Sequence, residues 1–514
     1  MTLSSQRDYL PGSLGGRRAT APHSRESLLW LTVIALLLVL GTVAAVSMSV
    51  GRPWPTQLSV LASALCFALG WHICRFSCSP LVPRLGILLY SLPFSVTVVY
   101  LVDPQSIWWS TPHMRFLLGN VDVVRTALAI GFVGLVGLVA GTAITSVLRG
   151  SRSPSRRRRV LDKHQNRSFT LPVFLIVDSI ALFLSWLYMP RETIFTMAYA
   201  DPSIIGRYST VNFNGAALLS YLLLVLLFVD AQASRNPARR RKMWIVLVST
   251  AVIVVLFQLL QGNRDSIGLL TALLALWITG RQASGGGQRR SRLGVRGLRG
   301  LTVRLSVGIV LALFIVIGSL RSTLSQSREV HMAEALVDGA RNNTWTYVLH
   351  TNVAMAATYL DGGDDLLWGR TYIDYVLSLP PSVVAHVLDY QRPQDGKRAP
   401  AKWFQSLGVT NAGMHIVNVP FRNFGIWGTF VILSLVGSFL VLVSDRGCRG
   451  GSFDRLLYGS VVAAMYRWFW YGEISLIRAL MGALVLGAIY EIYLRYRLLP
   501  VMRSPLGWIR GEAV

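Results

Sequence analysis

The chain has 514 residues, of which 53% are hydrophobic and 14% are charged, and its mean hydropathy is +0.48. This composition excludes a set of soluble domains and predicts a membrane protein. The formal net charge of +26 is compatible with a nucleic-acid partner, so the basic residues must be located before that charge is interpreted.

Apolar runs long enough to cross a bilayer recur along nearly the whole chain. A helix needs about 20 residues to span the hydrocarbon core. By that rule we predict about twelve spans: 28–50, 56–74, 81–102, 126–148, 170–189, 215–231, 243–261, 266–280, 302–320, 424–444, 456–472 and 475–494. The first span lacks a small-residue cleavage site after a short apolar core, so we expect it to remain as an uncleaved anchor.

The basic residues follow the alternation of these spans. If the N-terminus is cytoplasmic, the cytoplasmic segments together carry the whole net charge of +26: 1–27, 75–84, 149–168, 232–243, 281–300, 445–456 and 495–514. Lysine and arginine retained on the cytoplasmic side set the topology of a membrane protein. Runs such as SRRRR (155–159) therefore require no nucleic-acid partner, although anionic membrane lipids are an expected one.

The four cysteines, Cys66, Cys74, Cys78 and Cys448, lie in or beside spans and loops predicted to be cytoplasmic. They lack convincing zinc-ligand spacing. Neither a disulfide framework nor a structural metal is expected.

The predicted fold is an all-α polytopic integral membrane protein of about twelve transmembrane helices. Both termini lie in the cytoplasm, and one large external loop contains short helices. The parts are a basic tail (1–27), spans one to nine (28–320), the external loop and predicted active-site region (321–423), spans ten to twelve (424–494) and a cytoplasmic tail (495–514).

The external loop, 321–423, is too polar to cross a bilayer and too long for a simple connection. It contains four of the eight histidines, nine acidic residues and nine lysines and arginines. Such a dense and balanced set of ionisable groups indicates a functional site more than a topology signal. Within it, 332–360 is predicted to be helical, 368–388 to be a short helix broken at Pro380-Pro381, and 413–428 to lead into the tenth span.

The order of these features resembles the bacterial oligosaccharide repeat-unit polymerases of the Wzy class and, more distantly, the O-antigen ligases. The resemblance is carried by the GNR turn at 262–264, by LLWGRTYIDYVLSLPPS (366–382) in the outer loop and by NAGMHIVNVPFRNFGIWG (411–428). It implies a GT-C-like fold and a metal-independent glycosyltransferase without a cofactor. Its donor would be a polyprenyl (undecaprenyl) diphosphate-linked oligosaccharide, used in surface polysaccharide (O-antigen or exopolysaccharide) biosynthesis at the bacterial cytoplasmic (inner) membrane. A chain-length regulator is a possible protein partner.

The leaving group of such a reaction is a diphosphate, which calls for fixed positive charge at the membrane surface. The planar guanidinium of arginine matches phosphate oxygens. The predicted substrate-binding residues are Arg264, Arg321, Arg341 and Arg422, with Arg467 and Arg478 around the last outer turn. Simpler interpretations stay open: an interfacial ion pair for Arg264, a helix-end marker for Arg321 and a solvated helix face for Arg341.

The acceptor hydroxyl would benefit from a base. His415 is the first candidate because it precedes a span near the water boundary, where an unperturbed imidazole is partly neutral, and because the resemblance to the ligases implies a functional histidine nearby. Asp265 and Glu473 are further candidates. An ordinary interfacial histidine bonded to the backbone is the alternative for His415.

Other functions compete with a polymerase. A ligase uses the same donor and differs in its acceptor. A conventional polyprenyl-phosphate-sugar glycosyltransferase usually carries a carboxylate in its first outer loop, and 49–55 contains none. A flippase of lipid-linked sugars is the non-enzymatic alternative, but the chain shows no internal repeat.

Overall fold

The computed structural model describes residues 56–74, 77, 79–102, 121–150, 171–187, 213–234, 236–260, 265–284, 366–379, 388–389 and 415–503. These residues form eleven helices and contain no strand. The helices are α1 (Thr56–Ile73), α2 (Leu81–Val102), α3 (Val121–Gly150), α4 (Leu171–Leu187), α5 (Phe213–Ala233), α6 (Pro237–Leu260), α7 (Asp265–Ser284), α8 (Arg370–Leu377), α9 (Asn418–Arg449), α10 (Ser452–Tyr471) and α11 (Ile474–Arg503).

Each of the ten predicted spans that fall in these residues coincides with one helix, and α8 occupies part of the predicted short helix 368–388. The predicted spans 28–50 and 302–320 and the predicted helix 332–360 lie outside the described residues. Within the described part, three helices are long and apolar enough to cross a membrane: Arg125–Arg149, Asn418–Arg449 and Ser475–Tyr493. An all-helical, membrane-associated protein is therefore supported.

The outward surface of the bundle is apolar. Ile176, Ile180 and Phe183 are exposed along α4, and Ile253 and Leu256 are exposed along α6. A soluble protein rarely presents such continuous apolar faces to water. These helices are suited to contact with lipid chains.

The most extensive helix contact, between α3 and α9, depends on small residues. Gly137 lies against the backbone of Phe430, and Gly141 lies against the backbone of Ser434. Glycines spaced four apart form a groove that lets two helix backbones approach closely. Because matched positions rise together along both helices, α3 and α9 run parallel.

The two ends of the bundle are named from the helix directions. The upper end is defined as the end where α11 begins, α10 terminates and the part of α9 that follows Gly425 begins; α3 begins there too, because it runs parallel to that part of α9. The α7 helix is antiparallel to α10, since Gly268 lies against Ala463 and Thr279 Oγ1 is 3.0 Å from Tyr458 OH, so α7 also begins at the upper end. At the lower end Arg149 Nη1 lies 3.5 Å from Asp445 Oδ2.

The α9 helix is two segments joined at Gly425. This residue has φ 68° and ψ −159°, a conformation that favours glycine and interrupts the helix. Val417, before the break, and Leu433, after it, both approach Gly134 of α3. Residues 415–424 are therefore a re-entrant segment: the chain rises from inside the bundle, turns at Gly425 and descends again. The sequence predicted only a lead-in to a span that starts at 424.

Replacing Gly141 by alanine is expected to disturb the α3–α9 contact, because a Cβ there would overlap the backbone oxygen of Ser434. We expect a loss of about 1–3 kcal/mol in the free energy of unfolding, typical of overpacked cores, measured by denaturation in mixed detergent. The control is Gly482→Ala, whose Cβ would meet only the flexible end of Leu222. Equal losses in the two variants would contradict this account of the contact.

Candidate functional site

Five of the predicted site residues lie in the part of the chain that forms the upper end. His415 and Arg422 belong to the re-entrant segment, Arg467 lies in the last turns of α10, Glu473 lies in the turn after α10, and Arg478 lies in the first turns of α11. Asp265 is the first residue of α7, at the same end, but its side chain lies outside the described residues. Arg264, Arg321 and Arg341 also lie outside them.

His415 is fully buried and bonded to backbone at both ring nitrogens. Its Nε2 lies 3.0 Å from the carbonyl oxygen of Tyr90, and its Nδ1 accepts the N–H of Val417 at 3.2 Å. The rings of Tyr90 and Phe94 pack edge-on against the imidazole, with centroids 4.7 and 5.1 Å away. Burial lowers the pKa of His415 to about 3. The ring is thus a neutral Nε2–H tautomer that anchors the re-entrant segment.

This geometry matches the alternative interpretation of His415, a histidine bonded to backbone. A role as general base would require one of the two backbone bonds to break. The role stays a prediction, and it gains no support from these contacts.

One of two adjacent α2 carbonyls at this end lacks its helical donor because of a proline. Pro93 lies inside α2 and has no N–H to bond to the carbonyl of Leu89, one helical turn earlier. The indole Nε1 of Trp470, at the end of α10, donates to that carbonyl at 2.9 Å. The next carbonyl, of Tyr90, accepts from His415. Two adjacent carbonyls of α2 thus bind two different elements of the upper end.

The loop helix α8 docks on the broken end of the re-entrant segment. Leu367 N–H donates to Arg422 O at 3.2 Å, and Trp368 N–H donates to Asn423 O at 2.9 Å. The Asn423 side chain binds both sides of the joint: Oδ1 accepts from Thr371 N–H at 3.3 Å, and Nδ2 donates to Val419 O at 2.8 Å. Carbonyls left unpaired by the break at Gly425 and N–H groups at the start of α8 therefore satisfy one another.

Glu473 is buried in the turn between α10 and α11. The hydroxyl of Tyr372, on α8, donates to its Oε1 at 3.5 Å. Its Oε2 is buried without a hydrogen-bond partner among the described residues. Burial raises the pKa of Glu473 to about 8. Of the predicted catalytic residues whose side chains are described, Glu473 is the one with an oxygen left to bind a ligand.

The three predicted substrate-binding arginines of this end are half-buried. Arg422 lies next to Asn423, at the point where α8 docks, and Arg478 lies next to Ile477, which packs against Tyr375 and Val419. Their positions in the chain place them at the same end of the bundle as Glu473.

Sequence reasoning missed Tyr372 and Asn423. Tyr372 sits in RTYIDYVL (370–377), whose amphipathic pattern was visible, but nothing in the sequence indicates that Tyr372 meets a residue 101 positions away. Asn423 follows Arg422, which was predicted to bind substrate. Only the break at Gly425 lets the Asn423 amide bind α8.

The bond from Trp470 to Leu89 O can be tested with a double-mutant cycle. Trp470→Phe is expected to cost about 1–3 kcal/mol of unfolding free energy, because the Leu89 carbonyl is left buried and unpaired. In a Pro93→Ala background the loss should be smaller, since residue 93 then offers an N–H to that carbonyl. The measurement is denaturation of all four proteins in mixed detergent, and equal losses in both backgrounds would refute the role assigned to Pro93.

The burial of Glu473 predicts a pH dependence of stability. An unfolded glutamate ionises near pH 4.5, whereas the folded one keeps its proton up to about pH 8. Stability from this group is therefore full below about pH 4.5 and declines as the pH rises to about 8. Glu473→Gln should remove this decline. The melting temperature of the variant minus that of the wild type should therefore increase across that pH window and stay constant at higher pH.

The control for this experiment is Glu491→Gln, at an exposed position on α11, the helix that follows Glu473. Its melting temperature should follow the wild type at every pH. A difference between Glu473→Gln and wild type that does not change with pH would contradict the burial of an unpaired carboxyl.

Comparison with protein-family models, with curated proteins and with solved structures found no match to this chain. What the protein does is therefore inferred from its own residues and their geometry.

Proposed function

We propose that the protein is a membrane glycosyltransferase that joins polyprenyl-diphosphate-linked oligosaccharide repeat units into a surface polysaccharide. The observation that carries this proposal is the upper end itself. A buried carboxyl with one unpaired oxygen is bonded there to a helix of the long polar loop, and the three predicted arginines lie in the chain segments of the same end.

The chemistry proposed for this end is a single displacement. A hydroxyl oxygen of the acceptor attacks the anomeric carbon of the donor sugar, and the bond from that carbon to the diphosphate breaks. The hydroxyl proton passes to Glu473, and the polyprenyl diphosphate departs. Arginines stabilise the charge that develops on the leaving oxygen, an effect worth about 100-fold or more in rate for one donor.

The apolar surroundings of the site suit a lipid-linked substrate. On α8, Ile373, Val376 and Leu377 are exposed, and so is Trp368 just before it. On α9, Trp427, Val431 and Leu435 form an exposed stripe with helical spacing that starts near the docking point of α8. An isoprenoid tail lying along these side chains would keep its diphosphate beside the arginines.

The proposed arrangement in the membrane is that predicted from the charge distribution. The chain makes about twelve spans in the bacterial cytoplasmic membrane, with the upper end outside and both termini inside. A cysteine introduced at the exposed Asp389, in a background without native cysteines, should react with impermeant maleimide from outside. Reaction from the cytosol alone would reject the proposal.

Deleting the gene distinguishes the competing functions. A polymerase defect leaves single repeats on the surface glycan. Long lipid-linked polymer that is not transferred indicates a ligase, and repeats retained on the inner leaflet indicate a flippase. The last two outcomes would refute the proposal.

Arg422→Ala is expected to lower the rate of polymer formation by about 100-fold, with the protein still folded and inserted. The measurement uses purified protein in lipid nanodiscs and lipid-linked repeats extracted from the deletion strain. The matched control is Arg449→Ala, an exposed arginine at the lower end of the same helix, which should keep the wild-type rate. Undiminished polymer from Arg422→Ala would exclude the diphosphate role of this residue.

A further inference from the structure

The two oxygens of Glu473 have different surroundings. Oε1 lies 3.5 Å from the hydroxyl of Tyr372. Oε2 is buried and makes no hydrogen bond in the part of the chain that the structure describes. A buried carboxylate oxygen normally has a partner, so an unpaired one indicates a place where a ligand or water binds.

The position of the Tyr372 hydroxyl is fixed by the docking of α8. The Tyr372 ring is nearly parallel to the ring of Phe424, with centroids 6.2 Å apart. At the adjacent position of each helix, Asn423 Oδ1 accepts the N–H of Thr371. Tyr375, on the same helix, packs against Val419. The re-entrant segment thus determines where Tyr372 can reach Glu473.

A second unpaired polar side chain lies in this segment. Both amide atoms of Asn418 are buried without a hydrogen-bond partner among the described residues, and only 1% of its surface is exposed. Its neighbour Val419 contacts Tyr375. An amide offers donors and an acceptor, which is the hydrogen-bonding capacity that the oxygens of a sugar require.

We propose that Tyr372 is a positioning residue for the transfer: it binds Oε1 of Glu473, so that Oε2 is directed to the acceptor sugar and receives the proton of its hydroxyl. The inference rests on the proposed glycosyl transfer and adds the acceptor side of the site. Asn418 is assigned to a neighbouring oxygen of the same sugar. As the proton reaches Oε2, the hydroxyl oxygen bonds to the anomeric carbon and the carbon–diphosphate bond breaks.

The elements that meet here carry other titratable or charged groups. They are Arg370, Asp374 and Tyr375 on α8, Arg422 on α9, Arg467 on α10 and Arg478 on α11. The hydrogen bond from Tyr372 favours the ionised carboxylate, so its removal raises the pKa of Glu473 further.

The test compares Tyr372→Phe with Tyr375→Phe. Each removes one hydroxyl from α8 and keeps the ring, and Tyr375 packs through its ring. Polymer formation is followed against pH with purified protein in nanodiscs and lipid-linked repeats from the deletion strain. Tyr372→Phe should lower kcat by about tenfold with little change in KM, a part of the 100-fold or more that a general base supplies, and should move the rise of activity to higher pH. Tyr375→Phe should keep the wild-type pH profile.

A second measurement needs no substrate. Dicyclohexylcarbodiimide adds to a protonated carboxyl to give an acylurea and does not add to a carboxylate. Mass spectrometry of Glu473 labelling against pH therefore reports the protonation of this residue. The midpoint should move to higher pH in Tyr372→Phe and stay unchanged in Tyr375→Phe.

The outcomes separate this inference from the function beneath it. If the wild type forms polymer but Tyr372→Phe shifts neither the pH profile nor the labelling, the positioning role is overturned; an equal shift in Tyr375→Phe also overturns it. If the wild type forms no polymer, the proposed function and the acceptor assignment fail together. The labelling then still decides whether Tyr372 positions Glu473.

Discussion

The upper end of this protein depends on a hydrogen bond that α2 cannot make. Pro93 has no N–H for the carbonyl of Leu89, and the next carbonyl along α2 is that of Tyr90. In an apolar bundle an unpaired carbonyl is costly, because no water replaces the lost partner. Trp470 and His415 occupy these carbonyls, and each bond ties a separate element to α2. One turn of α2 therefore holds both the end of α10 and the start of the re-entrant segment.

The remaining contacts follow from the segment that His415 holds. Residues 415–424 rise to Gly425, where the helix breaks and leaves the carbonyls of Arg422 and Asn423 without helical partners. The N–H groups of Leu367 and Trp368 donate to these carbonyls, and the two hydrogen bonds fix the start of α8. The Tyr372 side chain then lies over Glu473. A residue of the predicted external loop thus reaches a buried carboxyl because each element supplies the donors or acceptors that the previous one lacks.

The sequence predicted the helices far better than their arrangement. Apolar runs reveal where helices lie because burial in lipid or protein demands them, and α2 begins and ends at the predicted residues. The re-entrant segment was missed because HIVNVPF (415–421) is as apolar as a helix that crosses the bundle in one direction. Its composition therefore does not reveal that the chain turns back. For the same reason His415 was expected at the water boundary. The segment folds back and places His415 inside the bundle, where its ring is buried and both ring nitrogens bind backbone. Glu473 was predicted only as a further candidate for the base. Tyr372 of α8 contacts it, and no local sequence pattern predicts that contact.

Burial of Glu473 also constrains how the arginines act in the proposed reaction. The Glu473 carboxyl already resists ionisation. A diphosphate brought near would raise the pKa of this carboxyl further and keep it protonated, and a protonated carboxyl cannot accept a proton. Guanidinium groups between the two would oppose this effect, because they would favour the carboxylate and the diphosphate at once. In the proposed reaction the same positive charges would therefore serve the leaving group and the base. Substitutions at Arg422, Arg478 and Glu473 should be strongly non-additive, since any one of them removes the condition under which the others contribute.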